Sequence, residues 1–548
     1  MTPSLFLLNP RRLIVYFFLQ LQLSTASDAT PGQPSGHTSN LDSVKMSNSI
    51  FNSIHDSMRQ LGSSINYESR CAFLATVPAG VRLYHGTSKE VPPAAGLKWL
   101  AFEPEHAMMF SHPAEHWSTA FEKEKGAEEP EDRGVPDADR DQVPIRNSPG
   151  DSDLRITAEI AVDDLLSQDD HIAAAAAAAP ERPSSLWTKF KDNDGWGYLH
   201  TYSTTHPLRL LYVDGTSAAK TTLGTLDFQD RIILQDRFSL GTNLDDDNIR
   251  AAELCRVARE DWNQQVHGFL RMETGFEIIM CELESARLES HGTVATQKIR
   301  DTFATYKALA QRFNGIGRGR VILNYDTFVT IHGDDLDNEV KRAERRAEVD
   351  ALVTKKPDDV DGDQERRTNW QAVTDMIIER FSAPLRLLSS EHEPWESKEA
   401  FDNEAQRLML PFIDHRRRNR QDEVDRCASY FQPGSSSPSS WKKSVAMSAI
   451  LNISQTICGE IIASTEDDED VQAATRRVRG LVEKLNWSSW KQCMPGCVGR
   501  EVCYVPVWPF SLALDRRRAP MCVDEGGFYG VAVEEMMAST AARAKRQS

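Results

Sequence analysis

The sequence lacks the commonest signatures of hydrolases and nucleotide-hydrolysing enzymes. It has no Gly-x-Ser-x-Gly elbow to expose a nucleophilic serine and no Gly-x-x-x-x-Gly-Lys loop to hold phosphates. It also has no His-Glu-x-x-His motif, which argues against zinc-hydrolase chemistry. The acidic run 358–363 fails as a calcium loop, because Gly362 at the sixth position would place Pro357 first and Thr368 twelfth.

Basic residues are outnumbered, and long apolar runs are missing after the amino terminus. The chain of 548 residues has 63 Lys and Arg against 81 Asp and Glu, which gives a net charge of −18. This charge repels nucleic-acid phosphates and anionic membranes, so neither is an expected partner. No later segment approaches the ~20 apolar residues that cross a bilayer, so we expect no stable membrane span. A protein or surface of unknown identity is the expected partner.

The amino terminus has the order of features that is typical of a signal peptide. Two arginines precede the apolar run 13–19, and small residues follow at 24–26. We therefore predict that residues 1–26 are a signal peptide, with cleavage after Ala26 and secretion to the extracellular space. An uncleaved anchor helix is the alternative, but Gln20 and Gln22 interrupt a run that is already short.

The nine cysteines support export, because an oxidising compartment turns nearby thiols into disulfides. Four of them crowd the carboxyl end, at Cys493, Cys497, Cys503 and Cys522. A zinc site would need suitably spaced thiolate pairs, and Cys493-x-x-x-Cys497 meets half of that requirement. Disulfides are favoured over zinc; the pairing stays open, and the odd total leaves one thiol over.

Two sequons in the carboxyl region add to the prediction of an exported glycoprotein. They are Asn452-Ile453-Ser454 and Asn486-Trp487-Ser488. We therefore expect that N-glycans can be attached at Asn452 and Asn486.

Short apolar runs and helical periodicity predict an α+β fold. Strands are predicted where apolar runs are bounded by turn residues, at 81–84, 208–213 and 276–281. Helices are predicted where apolar residues recur with amphipathic spacing, at 249–266, 294–313, 370–381 and 471–485.

These elements divide the chain behind the signal peptide into four parts. Polar composition predicts a flexible leader at 27–45. An acidic insertion at about 122–153 has too few apolar residues to offset the entropy lost on ordering, so it is predicted to be disordered. The other three parts are an α+β domain at 46–290 with a mixed sheet, a mainly helical region at 291–430, and a cysteine-rich carboxyl region at 431–548.

The stretch Leu83-Tyr84-His85-Gly86-Thr87, followed by an aromatic strand and the helix start Glu103-Pro104-Glu105-His106, resembles ADP-ribosyltransferases of the diphtheria-toxin type. The resemblance implies that the amino-terminal half has their fold and uses NAD. It implies that His85 holds the nicotinamide ribose, that Gly86 allows close backbone approach, and that Trp99 and Phe110 sandwich the nicotinamide. The family has tyrosines at the two ring positions, so the chain departs from its pattern there.

The same resemblance implies a catalytic glutamate at the start of a later strand. Cleavage of the glycosidic bond builds positive charge on the ribose, which a nearby carboxylate stabilises. Glu277 is the candidate, and Glu273 is close enough in sequence to compete with it. The alternative for His85 is a hydrogen-bonded turn residue, and Trp99 and Phe110 can equally be core residues.

The same segments, with 208–215 and 502–509, also resemble a family of secreted fungal proteins of unknown function. Two functions follow as expectations. One is a secreted enzyme similar to NAD-dependent ADP-ribosyltransferases; the other is a noncatalytic secreted or cell-wall-associated glycoprotein with a binding role. A single cleft containing His85, Glu277 and at least one of the two rings would favour the enzyme.

Overall fold

The computed structural model describes most of the chain from residue 40 to residue 528. The described ranges are 40–65, 70–93, 95–111, 196–215, 227–235, 247–273, 275–295, 302–310, 317, 319–331, 336–355, 368–390, 395–432, 444–466, 470–493, 496–505 and 520–528. The predicted signal peptide, most of the predicted leader and the acidic insertion at 122–153 lie outside these ranges.

The described chain forms one large sheet, one small sheet and a series of helices. The strands are β1 Cys71–Val77, β2 Arg82–Thr87, β3 Lys98–Ala101, β4 Trp196–Thr204, β5 Leu208–Val213, β6 Gly268–Met272, β7 Phe276–Met280, β8 Ala286–Ala295, β9 Ile322–Thr330, β10 Val502–Tyr504 and β11 Met521–Val523. The α-helices are α1 Asn40–Asp56, α2 Gln60–Ile65, α3 Pro104–Met108, α4 Asp247–Arg256, α5 Thr302–Ala310, α6 Glu339–Val353, α7 Trp370–Leu388, α8 Lys398–Met409, α9 Arg420–Ser429, α10 Val445–Ala463 and α11 Val471–Leu485. Two π-helical segments lie at Asp227–Ile233 and Val257–Asp261.

The large sheet is mixed and has nine strands in the order β8-β4-β2-β3-β7-β6-β5-β1-β9. All neighbouring pairs are antiparallel except β5 and β6, which are parallel. The central strands β5, β6 and β7 are buried along their whole length. Such near-continuous apolar runs are expected of strands that are covered on both faces.

Two hydrophobic clusters cover the two faces of this sheet. The main core contains Leu100 and Ile278 from the sheet and extends through α7 to α11. The second core contains Trp99 and Ile279 from the other face and packs against α4, α6 and the two π-helical segments. Because side chains alternate along a strand, adjacent residues on β3 and β7 belong to different cores.

The five helices of the carboxyl half begin at residues that cap their first turn. Asn369, Ser397, Asn419, Ser444 and Asp470 each accept a hydrogen bond from the backbone N–H three residues later. Such a cap satisfies one N–H that has no partner within the helix, and contributes about 1 kcal/mol. The residues at these five positions therefore mark where the helices begin.

Four disulfides join eight of the nine cysteines. They are Cys255–Cys281, Cys427–Cys458, Cys493–Cys503 and Cys497–Cys522. The prediction of disulfides is confirmed, and the cysteine left over is the buried Cys71. Burial, and the nearby charge of Asp214, raise the pKa of the Cys71 thiol well above its ordinary value, so this sulfur is a poor nucleophile.

One described helix, α10, is long and apolar enough to span a membrane by length and composition. The sequence-based expectation overlooked this segment. Within the fold, α10 packs against α8, α9 and α11, and the Cys427–Cys458 disulfide joins it to α9. Core helices commonly pass such a test, so α10 is weak evidence for a membrane span.

The predicted α+β fold with a mixed sheet, a helical carboxyl half and several disulfides is confirmed. Three boundaries differ from the sequence-based ones. Helix α1 begins at Asn40, inside the predicted leader; β8 runs to Ala295, where a helix was expected; and β9 extends the sheet into the predicted helical region. Strand β9 belongs to the sheet because it pairs with β1, more than 240 residues earlier, which local periodicity cannot reveal.

Candidate functional site

The sheet register places His85 and Glu277 on opposite faces. Residues that are directly opposite each other on paired strands project to the same side. Tyr84 is opposite Ala101, and Ala101 is opposite Glu277, so these three share the face of the second core. His85 follows Tyr84 on β2 and therefore projects from the face of the main core.

His85 is a buried strand residue in a row of histidines. Its Nδ1 lies 3.1 Å from the carbonyl oxygen of Trp99. It stands opposite His200 on β4, which stands opposite His291 on β8, with ring centres 6.1 and 6.4 Å apart. The hydrogen bond and the burial fit the alternative of a structural histidine.

The two candidate stacking rings also belong to different cores. Trp99 lies opposite Ile279 in the second core, whereas Phe110 belongs to the main core. The ring of Phe110 meets His106 edge to face, with centres 5.5 Å apart. The structure thus distributes the residues of the expected nicotinamide site over two faces of the sheet.

Gly86 is required by the packing of α3. A Cβ at this position would lie 1.8 Å from the carbonyl oxygen of Ala107, 2.6 Å from its carbonyl carbon and 3.0 Å from Ser111 Oγ. The short helix α3 therefore lies directly on β2 at this point. Close approach of backbone to backbone, which only glycine permits, explains the residue without a cofactor.

We predict that Gly86→Ala destabilises the protein by about 1–3 kcal/mol, because α3 must move away from β2 to admit the methyl group. Gly292→Ala is the matched control, since Gly292 also lies in this sheet and a Cβ there would meet nothing within 4 Å. Urea unfolding of both variants measures the difference. Equal stability of the two variants would contradict this account of Gly86.

Glu277 is part of a buried network of charged side chains. Arg271 lies opposite Glu277 in the β6–β7 hairpin and donates from Nε to Glu277 Oε1 at 3.0 Å. Its two terminal nitrogens donate to Gln229 Oε1 at 2.9 Å and to Asp247 Oδ2 at 2.6 Å. Burial alone would lower the pKa of Arg271, but Asp247 and Glu277 outweigh it and raise that pKa.

A second ion pair extends the network beside Arg271. Arg250 on α4 donates from Nε to Asp230 Oδ2 at 2.9 Å, and Gln229 donates to the other oxygen of Asp230 at 3.0 Å. Burial raises the pKa of Asp230, and Arg250 opposes that rise. The network thus joins β6, β7, α4 and the π-helical segment Asp227–Ile233 beneath the second core.

His106 joins the network from α3. The Gly275 N–H donates to His106 Nδ1 at 2.8 Å, so the proton of the neutral ring lies on Nε2, which is 3.5 Å from Glu277 Oε2. Gly275 has to be glycine, because a Cβ there would lie 2.9 Å from that Nδ1. The histidine therefore presents a proton, and not a lone pair, to Glu277.

His106, Glu273 and Glu277 each offer a ligand atom, and these atoms lie within 4.8 Å of one another. Two observations argue against a metal ion there. A metal at Nε2 would need the lone pair where the Gly275 hydrogen bond places a proton. The Arg271 guanidinium beside Glu277 would also repel a cation.

A second group of possible metal ligands within the described ranges is Cys493, Cys497 and Cys522. All three sulfurs are bonded in disulfides, so they are not thiolate ligands. The preference for disulfides over zinc in this region therefore agrees with the structure.

Sequence reasoning selected Glu277 but missed Arg271, Asp247 and Arg250. A usable signal existed for one of them. In the two otherwise apolar strands β6 and β7, Arg271 and Glu277 are the only charged residues, and their positions opposite each other place both on one face. Asp247 and Arg250 come from a distant helix, and their contribution depends on the tertiary fold.

Residues 35–305 match a family model described as the YPL277C N-terminal domain. That match spans the large sheet except β9, together with the buried charge network. It supports a relationship to an uncharacterised fungal family.

Two relatives come from Saccharomyces cerevisiae. The uncharacterized protein YOR389W is 23% identical over 557 residues, which cover 84% of this chain and 81% of that protein. The uncharacterized protein YPL277C is 28% identical over 252 residues, which cover 44% of this chain and 42% of that protein. No solved structure matches the chain, so the resemblance to ADP-ribosyltransferases gains no support from known folds.

Proposed function

We propose that this protein is an exported, noncatalytic glycoprotein with a binding role. The observation that carries the proposal is the set of four disulfides, one of which, Cys427–Cys458, is buried in the helical half. Disulfides persist in oxidising compartments and are rare in the reducing cytosol. The predicted signal peptide at 1–26 supports the same compartment.

The noncatalytic part of the proposal rests on the geometry around Glu277. An ADP-ribosyl transfer would need its carboxylate beside the ribose of NAD, together with the histidine that holds that ribose. Here Glu277 is 1% exposed and engaged by Arg271, while His85 projects from the opposite face. A binding function does not require these residues to meet in one cleft.

The glycan is expected at Asn486 and not at Asn452. Asn486 is exposed and ends α11 in a left-handed conformation, with φ of 47°. Asn452 lies inside α10, is partly buried, and donates from Nδ2 to Ser47 Oγ at 3.0 Å. A glycan on Asn452 would break that hydrogen bond and collide with the packed helices.

We predict that the protein purified from the medium of a fungal host starts at Ser27, has one free thiol and carries one N-glycan. The intact mass after glycosidase treatment gives the amino terminus, and the mass lost in that treatment gives the number of N-glycans. Thiol labelling of the denatured protein counts the free cysteines. Asn486→Gln should abolish the loss of mass on glycosidase treatment. Asn452→Gln is the matched control and should retain that loss. An intracellular product with an intact leader and nine free thiols would overturn the proposal.

The enzyme hypothesis is tested separately with labelled NAD. The wild-type protein is expected to leave NAD intact and to show no saturable NAD binding. NAD turnover by the wild type that disappears in a folded Glu277→Gln variant would overturn the noncatalytic assignment and restore Glu277 as a catalytic residue.

A further inference from the structure

Two histidines from different loops meet at one end of the large sheet. His206 lies in the turn between β4 and β5, and His267 immediately precedes β6. Their Nε2 atoms are 3.3 Å apart and their ring centres 5.2 Å apart. His206 is exposed and His267 is partly buried, so an ion in solution can reach the pair.

The two distances together fit two nitrogens that point at one common atom. If both Nε2 lone pairs converge symmetrically, the size of an imidazole ring places that atom about 2.0 Å from each nitrogen, at an angle of about 110°. These are the bond length and the tetrahedral angle of zinc bound to histidine. A straight hydrogen bond between the two nitrogens would hold the ring centres further apart than 5.2 Å.

The hydrogen bonds of His206 prepare it as a ligand. Its Nδ1 lies 3.0 Å from Thr205 Oγ1, and the Thr205 hydroxyl donates to the Ser285 carbonyl oxygen at 2.9 Å. Since that hydroxyl proton is used, the Nδ1 proton of His206 donates to Thr205 Oγ1, and Nε2 keeps its lone pair. Metal-binding histidines commonly have their second nitrogen held in this way.

His267 can supply the second lone pair after a change of tautomer. Without a metal, its Nδ1 accepts from the Arg209 N–H at 3.0 Å, and its Nε2–H donates to His206. The Arg209 carbonyl oxygen lies 3.3 Å from the same Nδ1 and can accept a proton placed there. The Cys281 N–H donates to the His267 carbonyl oxygen at 3.0 Å, which fixes the backbone of this residue.

A carboxylate stands beside the pair. Glu282 is exposed and follows Cys281, and Gln264 Nε2 donates to its Oε1 at 3.1 Å. The Glu282 carboxylate does not lie within 4.8 Å of both histidine nitrogens, so water supplies the remaining ligands.

We propose that His206 and His267 bind a zinc ion or a similar divalent transition metal, with water completing the coordination. Imidazole suits zinc, copper and nickel, whereas calcium and magnesium prefer oxygen ligands. The site is independent of the export and binding functions proposed above. It differs from the His106 cluster in being exposed, in having a preset lone pair on His206, and in having a described acceptor for the displaced proton of His267.

Equilibrium dialysis of untagged, chelator-treated full-length protein against zinc chloride tests the proposal, with bound zinc read by mass spectrometry. We expect one bound ion per chain, with affinity reduced more than about tenfold in His206→Ala and in His267→Ala. His415→Ala is the matched control, because it removes another exposed histidine and should bind zinc as the wild type does. Thermal unfolding without metal checks that each variant is folded.

Cobalt supplies a second readout, since the visible spectrum of bound Co²⁺ reports tetrahedral nitrogen and oxygen coordination. Absence of binding to the wild type would overturn the proposal. So would binding that survives in both histidine variants, and loss of zinc in Glu273→Gln alone would move the site to the His106 cluster.

Discussion

Replacing Arg271 with methionine is expected to lower the free energy of unfolding by about 3–5 kcal/mol, because it leaves Glu277 and Asp247 buried without their shared cation. Both carboxylates are fully buried in the native protein, so water cannot replace the lost guanidinium. Denaturant unfolding, followed by tryptophan fluorescence, measures the loss.

The exposed ion pair Arg82–Glu289 provides the matched control for this variant. It also joins two strands of the large sheet, at 3.1 Å, but the Arg82 side chain is 70% exposed. Arg82→Met is therefore expected to change stability by less than about 1 kcal/mol. A comparable loss in both variants would mean that the buried network has no special role in stability.

A conservative variant separates charge from hydrogen-bond geometry. Arg271 donates to three different side chains at once, and the flat guanidinium holds those donors in fixed directions. Lysine keeps the charge but concentrates its donors on one nitrogen. Arg271→Lys is thus expected to fall between the wild type and Arg271→Met.

Removing the Cys427–Cys458 disulfide is expected to be the second largest effect. The bond closes a loop between positions 31 residues apart, and both sulfurs lie in the main core. In the entropic account, closing such a loop reduces the conformational entropy of the unfolded chain and so raises the free energy of unfolding by about 3–4 kcal/mol. The double variant Cys427→Ala/Cys458→Ala should lose about that much stability and should unfold at a lower denaturant concentration.

Cys71→Ala is the control for removing a buried sulfur without breaking a crosslink. Cys71 is as buried as the two bonded cysteines, but it has no disulfide. Its replacement should cost about 1 kcal/mol, from the small cavity and the loss of the weak hydrogen bond that Ser53 Oγ donates to the sulfur at 3.5 Å. If the wild type in strong reductant were as stable as the oxidised protein, the crosslink would not contribute as described.

The same two experiments bear on the proposed function. The disulfide carries the export proposal, so its contribution to stability indicates how strongly the fold depends on an oxidising compartment. The Arg271 network accounts for Glu277 as a structural residue. If Arg271→Met stayed fully stable, the structural explanation of Glu277 would weaken and the NAD assay would gain importance.

The local sequence predicted those elements whose signals lie within a short window. Strand β5 and helix α11 were predicted with their bounds, because an apolar run and an amphipathic repeat mark each of them fully. The predicted helix at 294–313 overlapped the end of β8, because pairing with β4 extends that strand beyond its own propensity. The π-helical segment Val257–Asp261 also ended the predicted helix 249–266 early.

The sequence by itself determined the α+β class, the dominance of helices in the carboxyl half and the use of cysteines as crosslinks. These properties follow from composition, periodicity and cysteine number, which can be read without knowing the tertiary contacts. Only the tertiary structure decided which cysteines pair, that β9 joins the sheet, and that His85 and Glu277 face opposite ways. Disulfide pairing depends on how distant segments pack, as in the Cys427–Cys458 bond between α9 and α10. The other two outcomes depend on strand pairing and register, and a shift of one residue would move every side chain of a strand to the other face.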